Sequence, residues 1–535
     1  MKYPLTLIFC AMLSACGGGS ESESQSEPAG SGALEAATYS GSGIGIWRYD
    51  NTSGSPATVN INIAGVSAGK VATLVFSNGS ETTAPLPSSG VLASPVKSAA
   101  AQADAGQPGM AVAAQHDEDK AHAGMLERNR AVAAQLIRER RVGGPVADVQ
   151  AAADSLSFPP AVGTSRSWND NFSGSPVAYN ASVQAVCELP SGRHVVWWVD
   201  PGIVSSGTFS ASAWSAAFSS LQASYCGSAG GLTRITDLLG DVWGGASAGS
   251  ASVIQDTPVL QDVNVVLLNV PASSQWAGYF YGEDTKRKAS YASSNEALAF
   301  FINARQVKND LDFATSTLLH ESTHLVNFYQ RSVARSVAHD TWLEETSAMM
   351  TEDIVAPAVI GGYNKALTDR LPVYLASGGN VSYINWPALT NSSANYAMGA
   401  GFGAFLNRRY GLSIYQQLVS VCGNESFACV DELIKTNGGS GFSDEFARFG
   451  TTVFGRFPAS GMPAGHGYPA KQAGAYDLQA KDLSSLPLGA PQSLTSGYRE
   501  TTHAYQRDTI AAGKTTYVRT GVVVPANTSL TVSIQ

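Results

Sequence analysis

The sequence has few charged residues and no run of basic ones. Asp, Glu, Lys and Arg make up 14% of the 535 residues, and the formal net charge is −9. A nucleic-acid-binding surface needs clustered Lys and Arg, so this charge balance excludes nucleic acid as a partner. The hydrophobic fraction of 44% is that of a globular protein. Because 535 residues are too many for one compact core, we expect two or three domains joined by linkers.

Long apolar runs are scarce as well, and the one at the N-terminus is short. Residues Met1 to Ala15 carry one positive charge and then an apolar run that is too short to span a bilayer, which is typical of an export signal. The sequence Leu13-Ser14-Ala15-Cys16 resembles the lipobox of bacterial lipoproteins. That resemblance implies cleavage before Cys16, a lipid on Cys16 and a membrane anchor at the bacterial cell envelope, with Gly17 favouring the outer membrane. The alternative is an ordinary cleaved signal and a secreted protein.

Cysteine is also rare, and no two cysteines have the CxxC spacing of a metal site. Of the six, one lies in the signal and one is Cys16, which leaves Cys187, Cys226, Cys422 and Cys429. An even number of cysteines outside the cytoplasm suggests two disulfides. Cys422 and Cys429 are close enough for a local loop, which pairs Cys187 with Cys226. Four buried thiols are the alternative.

Composition divides the chain into six segments. They are a signal peptide (1–15), a Gly/Ser/Glu-rich flexible tether (16–37), a small β domain (38–97), an Ala-rich helical connector or pro-segment (98–164), the main domain (165–455) and a β-rich C-terminal region (456–535). The Ala-rich segment contains a predicted helix over Asp117–Arg141. In the main domain the pattern predicts strands at Val195–Val199, Val263–Val270 and Ala297–Ile302, and helices at Ala211–Tyr225 and Asp312–Phe328.

The second of these helices carries the motif His320-Glu321-Ser322-Thr323-His324. Residues four apart share one face of a helix, so His320 and His324 can direct ring nitrogens at one Zn2+ ion. Glu321 can then act as a general base toward a metal-activated water that attacks a peptide carbonyl. The motif alone is a hypothesis that needs structural context. A polar helix face with two ordinary histidines is the alternative.

Catalytic zinc needs a third protein ligand. The HxxGxxH pattern of metzincins is absent, but Trp342-Leu343-Glu344-Glu345 follows the helix. This segment resembles the WLNEG segment of gluzincins, whose glutamate completes the zinc site. The resemblance implies that Glu345 is the ligand and that Glu344 faces outward or supports the site from behind. Glu344 as the ligand is the alternative.

These motifs together resemble the hyicolysin family of secreted bacterial metallopeptidases. The likeness includes Leu319–Phe328, Trp342–Glu345, Ser294–Glu296 and Phe442–Phe449, and spans about half the chain. It implies an α+β fold: a zincin-like catalytic core of a mixed sheet and a metal-binding helix, a helical C-terminal subdomain, and small β-rich flanking regions. By the same resemblance, the strand at Ala297–Ile302 would be the edge strand that pairs with a peptide substrate. An ordinary core strand is the alternative.

A peptidase also needs a hydrogen-bond donor for the oxyanion. Asn395-Tyr396-Ala397-Met398-Gly399-Ala400 resembles the YxxGA segment of aminopeptidase-type gluzincins, which implies that Tyr396 is this donor. A tyrosine packed in a helical core is the alternative, and His339 is a second candidate donor. The GxMEN segment with which aminopeptidases hold a substrate amine is absent, so we expect an endopeptidase acting on proteins or peptides.

Two other patterns compete with this interpretation. Gly245-Ala246-Ser247-Ala248-Gly249 matches GxSxG, but the buried strand that should precede a nucleophile elbow is missing. The turns Asp50–Pro56 and Asp170–Pro176 resemble each other, which is typical of similar turns in two β segments. A Ca2+ loop is the alternative, although the ligand spacing of such a loop is lacking. A further alternative is a surface adhesin or binding lipoprotein on a zincin fold with little turnover. The oligomeric state is not addressed by the sequence.

Overall fold

A computed structural model describes residues 32–92, 124–139, 158–256, 260–274, 276–386, 393–491 and 497–535. The predicted signal peptide, Cys16 and most of the predicted tether lie outside these residues. No helix among the described residues has both the length and the apolar character that a membrane crossing requires.

The described chain contains sixteen strands and a larger share of helix. The strands are β1 Ala37–Thr38, β2 Gly45–Asn51, β3 Ala57–Ala64, β4 Val71–Asn78, β5 Val91–Leu92, β6 Ser165–Asp170, β7 Val177–Glu188, β8 His194–Val199, β9 Val263–Leu268, β10 Gly278–Phe280, β11 Leu298–Asn303, β12 Lys471–Ala473, β13 Tyr476–Leu478, β14 Thr502–Thr509, β15 Thr516–Val524 and β16 Thr528–Ile534. The α-helices are α1 Gly32–Glu35, α2 (124–139), α3 Gly202–Ser205, α4 Ala211–Tyr225, α5 Gly231–Leu239, α6 Ala304–Asn309, α7 Leu311–Asn327, α8 Thr341–Ile354, α9 Ala356–Val359, α10 Leu371–Ala376, α11 Ser393–Tyr410, α12 Leu412–Ser420, α13 Ser426–Thr436 and α14 Phe442–Gly455. Short 3-10 helices cover Gly245–Gly249 and Gly282–Thr285, and π-helices cover Phe328–Val333 and Ala366–Arg370.

A six-stranded mixed sheet in the order β10-β11-β9-β8-β7-β6 forms the base of the main domain. Strands β8, β9 and β11 run parallel, and every residue of β9 and β11 is buried. Continuous apolar runs such as these are typical of strands covered on both faces. Helices α4, α5 and α7 pack together against this sheet. Helix α7 also packs against α8.

The expected position of the edge strand was wrong. The segment Ala297–Ile302 forms most of β11, which is the second strand of the sheet, and the short antiparallel β10 takes the edge. The fully apolar run of β11 fits an interior position, since an edge strand leaves one face or one edge open. Gly278 allows β10 to lie close to α7, because a Cβ there would stand 2.8 Å from the side chains of Ile302 and Thr317.

A helical subdomain faces the sheet across the site. Helices α8, α10, α11 and α14 meet around an aromatic cluster that includes Tyr383, Phe402 and Phe446. Tyr383 Oη lies 2.9 Å from Thr346 Oγ1 of α8. This contact ties α8, next to Glu345, to the aromatic cluster.

The two β-rich flanking regions form one β-sandwich. Strand β4 lies between β14 and β16, while β16 also pairs with β2 and β15 pairs with β3. Residues from both regions, such as Ile61, Leu74, Val522 and Leu530, share a single buried cluster. The alternating pattern of each region predicts strands, but period-2 alternation does not specify the partner strand, so the sequence left the two regions separate.

Both predicted disulfides are formed. Cys187 of β7 is joined to Cys226 at the end of α4, and Cys422 is joined to Cys429 across the α12–α13 connection. The first bond fixes α4 to the sheet. The second closes a short loop between two cysteines that are seven residues apart in sequence. The alternative of four buried thiols is therefore wrong.

Candidate metal centre and active site

Helix α7 holds both motif histidines inside the protein. The Asp310 side chain caps the helix by accepting a hydrogen bond from the Phe313 amide at 2.9 Å. Four buried hydroxyl groups of the helix donate to carbonyl oxygens four residues earlier, for example Thr323 to Leu319 at 3.0 Å. These bonds satisfy polar groups that burial would otherwise leave unpaired, and so allow a polar helix to lie in the core.

Helix α8 brings a carboxylate against the two histidines. Glu345 is fully buried, with Oε2 lying 3.2 Å from His320 Nε2 and Oε1 lying 3.1 Å from His324 Nε2. One ligand atom from each of these three residues falls within 4.8 Å of the others. Two imidazoles and one carboxylate are a ligand set of catalytic zinc, with a fourth position left for water or substrate. The donor set therefore fits one Zn2+ ion.

Glu352 positions His320 from behind. Its Oε1 lies 2.7 Å from His320 Nδ1, and its Oε2 lies 3.3 Å from Lys365 Nζ. A carboxylate on the far ring nitrogen fixes the orientation and tautomer of a metal-binding histidine. Glu352 was not predicted from the sequence. The available signal was its spacing of seven from Glu345, which places both residues on one face of α8.

Glu344 performs the same task for His324 and does not take the ligand position. Its Oε1 lies 2.9 Å from His324 Nδ1 and accepts a hydrogen bond from Asn327 Nδ2 at 3.0 Å. The ring nitrogens of His339 lie 3.0 Å from Glu344 Oε2 and 3.0 Å from the carbonyl oxygen of Leu418. His339 thus supports Glu344 and has both ring nitrogens engaged away from the Glu345 carboxylate.

The electrostatics of the cluster favour a charged arrangement. Burial by itself lowers the pKa of His320, but Glu345 and Glu352 outweigh it and raise that pKa to about 9. Burial raises the pKa of Glu345, yet the two histidines hold it well below its usual value. A buried anionic carboxylate that faces two imidazoles is a site for a cation.

Glu321 lies beside this cluster and is in contact with the sheet edge. Its side chain is buried, and Oε2 accepts a hydrogen bond from the Phe280 amide of β10 at 2.9 Å. The general-base candidate is therefore held between α7 and the edge strand. This position is the one from which a carboxylate can reach a peptide that lies along β10.

Tyr396 lies on α11 next to α8. Its ring is buried, packs on Trp386 with ring centroids 4.7 Å apart, and shares a small apolar cluster with Met349 of α8. The Arg370 guanidinium stands over the ring at 5.5 Å. Because Met349 is one helical turn after Glu345, the structure places Tyr396 near the metal cluster, and its assignment as oxyanion donor stays a prediction.

The competing patterns take other forms. Gly245–Gly249 is a 3-10 helix, and Ser247 is buried with its hydroxyl donating to the carbonyl of Gly244 at 2.8 Å. It is therefore not a nucleophile elbow, which needs a strand before an exposed serine. Within the described residues, the only group of three or more His, Cys, Asp or Glu side chains with metal-binding spacing is His320, His324 and Glu345.

Comparisons with known proteins agree with this site. The profile of the peptidase M30 family matches residues 178–535, and a domain of unknown function (DUF8571) matches residues 28–91. No curated protein sequence matches the chain.

Two solved structures resemble the chain at low identity. One is a two-domain M1 zinc metallopeptidase mutant bound to L-arginine, with 15% identity and a TM-score of 0.28. The match covers 57% of this chain and 53% of that chain. The other is an M1 zinc metallopeptidase mutant from Deinococcus radiodurans, with 15% identity and a TM-score of 0.28. The match covers 52% of this chain and 56% of that chain. The match thus spans about half the length of each of these structures. The M30 profile covers more than half of the present sequence and includes every residue of the metal cluster, so the chain belongs to the peptidase M30 family, the hyicolysin family that its motifs resemble.

Proposed function

We propose that the protein is a zinc-dependent endopeptidase that hydrolyses internal bonds of extended peptides. The observation that carries this proposal is the convergence of His320, His324 and Glu345, each buried and facing the others. Glu352 and Glu344 hold the two imidazoles so that both Nε2 atoms face Glu345. When bound by these three residues, zinc would polarise the scissile carbonyl and lower the pKa of a water toward 7.

Glu321 supplies the proton chemistry in this proposal. Its carboxylate takes the proton from the attacking water at one oxygen and then returns it to the leaving amine nitrogen. The hydrogen bond from the Phe280 amide holds Oε2, which orients the carboxylate for this transfer. Tyr396 would donate a hydrogen bond to the oxygen that becomes negative as the carbonyl is attacked.

Strand β10 supports the assignment of an extended substrate. It is the last strand of the sheet on the side of Glu321, so a peptide can be added there through backbone hydrogen bonds. Backbone pairing of this kind does not require a free substrate amine. Together with the absence of an amine-binding acidic segment, it favours cleavage inside a chain.

The predicted attachment to the membrane belongs to the same proposal. A lipid on Cys16 would hold the peptidase at the bacterial cell envelope, facing exported or surface proteins. Mass spectrometry of the N-terminal peptide from membranes would detect the lipid. A soluble N-terminus that begins at Cys16 without lipid would instead indicate secretion.

The decisive experiment compares the wild type with Glu321→Gln. We expect about one zinc per chain in both proteins, measured by elemental analysis, and casein cleavage that falls by at least about a thousandfold in the variant and is abolished by a chelator. Glu432→Gln, on the exposed side of α13, is the matched control and should cleave like the wild type. Wild type without zinc would refute the proposal, while zinc without cleavage in all three proteins would favour the binding-lipoprotein alternative or a latent form held by the Ala-rich segment.

A further inference from the structure

Helix α2 lies across the cleft and contacts both of its walls. On the side of the helical subdomain, Arg130 forms an ion pair of 2.8 Å with Asp340, the residue immediately before α8. On the side of the sheet, Lys286 Nζ donates to Gln135 Oε1 at 3.0 Å. Arg130 and Gln135 lie five residues apart on one helix, so α2 bridges the opening between the two walls.

The inner face of α2 is apolar and buried, whereas its outer face is polar and exposed. The buried side chains are Met125, Leu126, Val132, Ala133 and Leu136. Their spacing of three, four and seven residues is that of a helix docked along one side. A cavity of about 50 Å³ remains beneath the helix, lined by Asn129 and Ala133 of α2 and by His324 and Glu344 of the metal site.

Asn129 pairs with the free edge of the sheet in the way a peptide would. Its Nδ2 donates to the carbonyl oxygen of Phe280 at 2.8 Å, and its Oδ1 accepts from the Gly282 amide at 2.8 Å. A primary amide presents one donor and one acceptor side by side, as an extended backbone does. The amide of the same Phe280 donates to Glu321, so Asn129 occupies the edge of β10 at the residue that also binds the proposed general base.

Leu126 fills an apolar pocket beside the tyrosine proposed as oxyanion donor. It shares a buried cluster with Met349, Tyr396 and Ala400, and Trp386 packs against that cluster. A pocket of this composition takes a leucine-sized side chain. One helical turn of α2 therefore supplies both a backbone-like amide for β10 and a side chain for the neighbouring pocket.

We propose that α2 is a built-in inhibitor that occupies the substrate-binding cleft, and that the peptidase is latent until α2 leaves. This inference rests on the proposed function, since it assigns β10 and the Leu126 pocket to substrate. The M30 profile begins at residue 178 and the upstream profile ends at residue 91, so α2 lies outside both matched regions. The pocket also predicts a preference for substrates with a leucine-like side chain near the scissile bond.

The first test measures cleavage of casein by full-length variants. Leu126→Asp places a charge in the apolar pocket, and Asn129→Ala frees the edge of β10 without changing the pocket. We expect each to raise the rate by about tenfold to a hundredfold, because each enlarges the fraction of molecules with an open cleft. Arg138→Ala, exposed on the same helix, should leave the rate unchanged.

The second test measures occupancy without turnover. A fluorescein-labelled peptide with the sequence GMLERNRAVAAQLIRE (residues 124–139) is titrated into Glu321→Gln and into Glu321→Gln/Leu126→Asp, and fluorescence anisotropy is recorded. We expect binding at least about tenfold tighter to the double variant, in which the resident helix is displaced. A peptide carrying the same Leu-to-Asp and Asn-to-Ala changes should not bind.

The outcomes separate the two proposals. If neither Leu126→Asp nor Asn129→Ala changes cleavage or peptide binding, and both melt like the wild type, α2 is ordinary scaffold and the inhibitor is refuted. If the peptide binds as expected but no variant cleaves casein, the occupied cleft stands and the proposed hydrolysis fails. Wild-type cleavage that already equals that of both variants also refutes latency.

Discussion

Glu352 illustrates how much of a metal site lies outside its motif. The carboxylate holds His320 Nδ1 at 2.7 Å and is itself buried next to Lys365. We expect Glu352→Gln to weaken zinc binding by about tenfold to a hundredfold, because the ring of His320 loses its charged partner. Competition with a chromogenic chelator measures this affinity.

The matched control for that experiment is Glu432→Gln, which removes the same charge from an exposed position. It should bind zinc like the wild type. Equal affinity in Glu352→Gln and the wild type would show that His320 is oriented by helix packing alone.

The metal-site residues were predictable where sequence spacing fixes geometry. Residues four apart lie on one face of any helix, so the motif alone identified His320 and His324. Glu345 needed the likeness to a family segment, because nothing local relates a second helix to the first. Asn129 could not be predicted at all, since its role depends on how α2 meets β10 far along the chain.

His503 is a buried histidine outside the metal site whose surroundings keep it neutral. It is fully buried in β14, stacks on Phe446 of α14 with centroids 4.1 Å apart, and has Nδ1 2.9 Å from Ser77 Oγ. Burial lowers its pKa to about 3. The imidazole is therefore neutral in the folded protein at pH values where an unfolded chain, with a pKa of about 6.5, is protonated.

The sign of the pH effect follows from this difference. The contribution of His503 is complete above about pH 6.5 and is lost as the pH falls from there toward 3, because the unfolded state binds the additional proton. At pH 5 the loss is about 1–2 kcal/mol in the free energy of unfolding. We expect the free energy of unfolding of His503→Gln, measured by denaturant titration, to fall less than that of the wild type between pH 7 and 5. An equal fall in both proteins would contradict the lowered pKa of His503.

At the scale of elements, the two disulfides tie different lengths of chain. Cys187–Cys226 spans 39 residues and joins α4 to the sheet, whereas Cys422–Cys429 spans seven. Loop-closure entropy predicts a stabilisation of about 4 kcal/mol for the longer loop and about 2 kcal/mol for the shorter one. Cys187→Ser/Cys226→Ser should therefore lower the melting temperature more than Cys422→Ser/Cys429→Ser, as thermal unfolding measures.

The exchange of β10 for β11 at the sheet edge shows where element prediction stops. The apolar run of β11 predicted a strand correctly, and its complete burial explains why it cannot be the edge. β10 has only three residues, Gly278 to Phe280, and a window that short has no periodicity to detect. The functional edge was therefore the element that the sequence pattern was least able to identify.

At the scale of the whole molecule, the β-sandwich makes the N-terminal segment part of the fold. Strand β4 is an interior strand with β14 on one side and β16 on the other. Deletion of residues 1–92 would leave both neighbours without a partner and expose their apolar faces, and we expect an insoluble protein. Deletion of residues 1–31, which retains every described strand, should give a soluble protein with the melting temperature of the full chain.

Size-exclusion chromatography with light scattering distinguishes the two deletions. A soluble monomer lacking residues 1–92 would show that the C-terminal strands can fold without β4. An aggregated protein after deletion of residues 1–31 would indicate that the first residues stabilise the fold.

The interleaved strands also decide what a proteolytic cut can release. A protease that cuts once between α2 and β6 would separate the chain into two polypeptides, yet β2, β3 and β4 would remain hydrogen-bonded to β14, β15 and β16. The cut protein would run as two bands on a denaturing gel and as one particle in solution. Any lipid on the first polypeptide would then still retain the second at the membrane. Activation by cleavage would therefore change the access of substrate to the cleft without releasing the enzyme from the membrane.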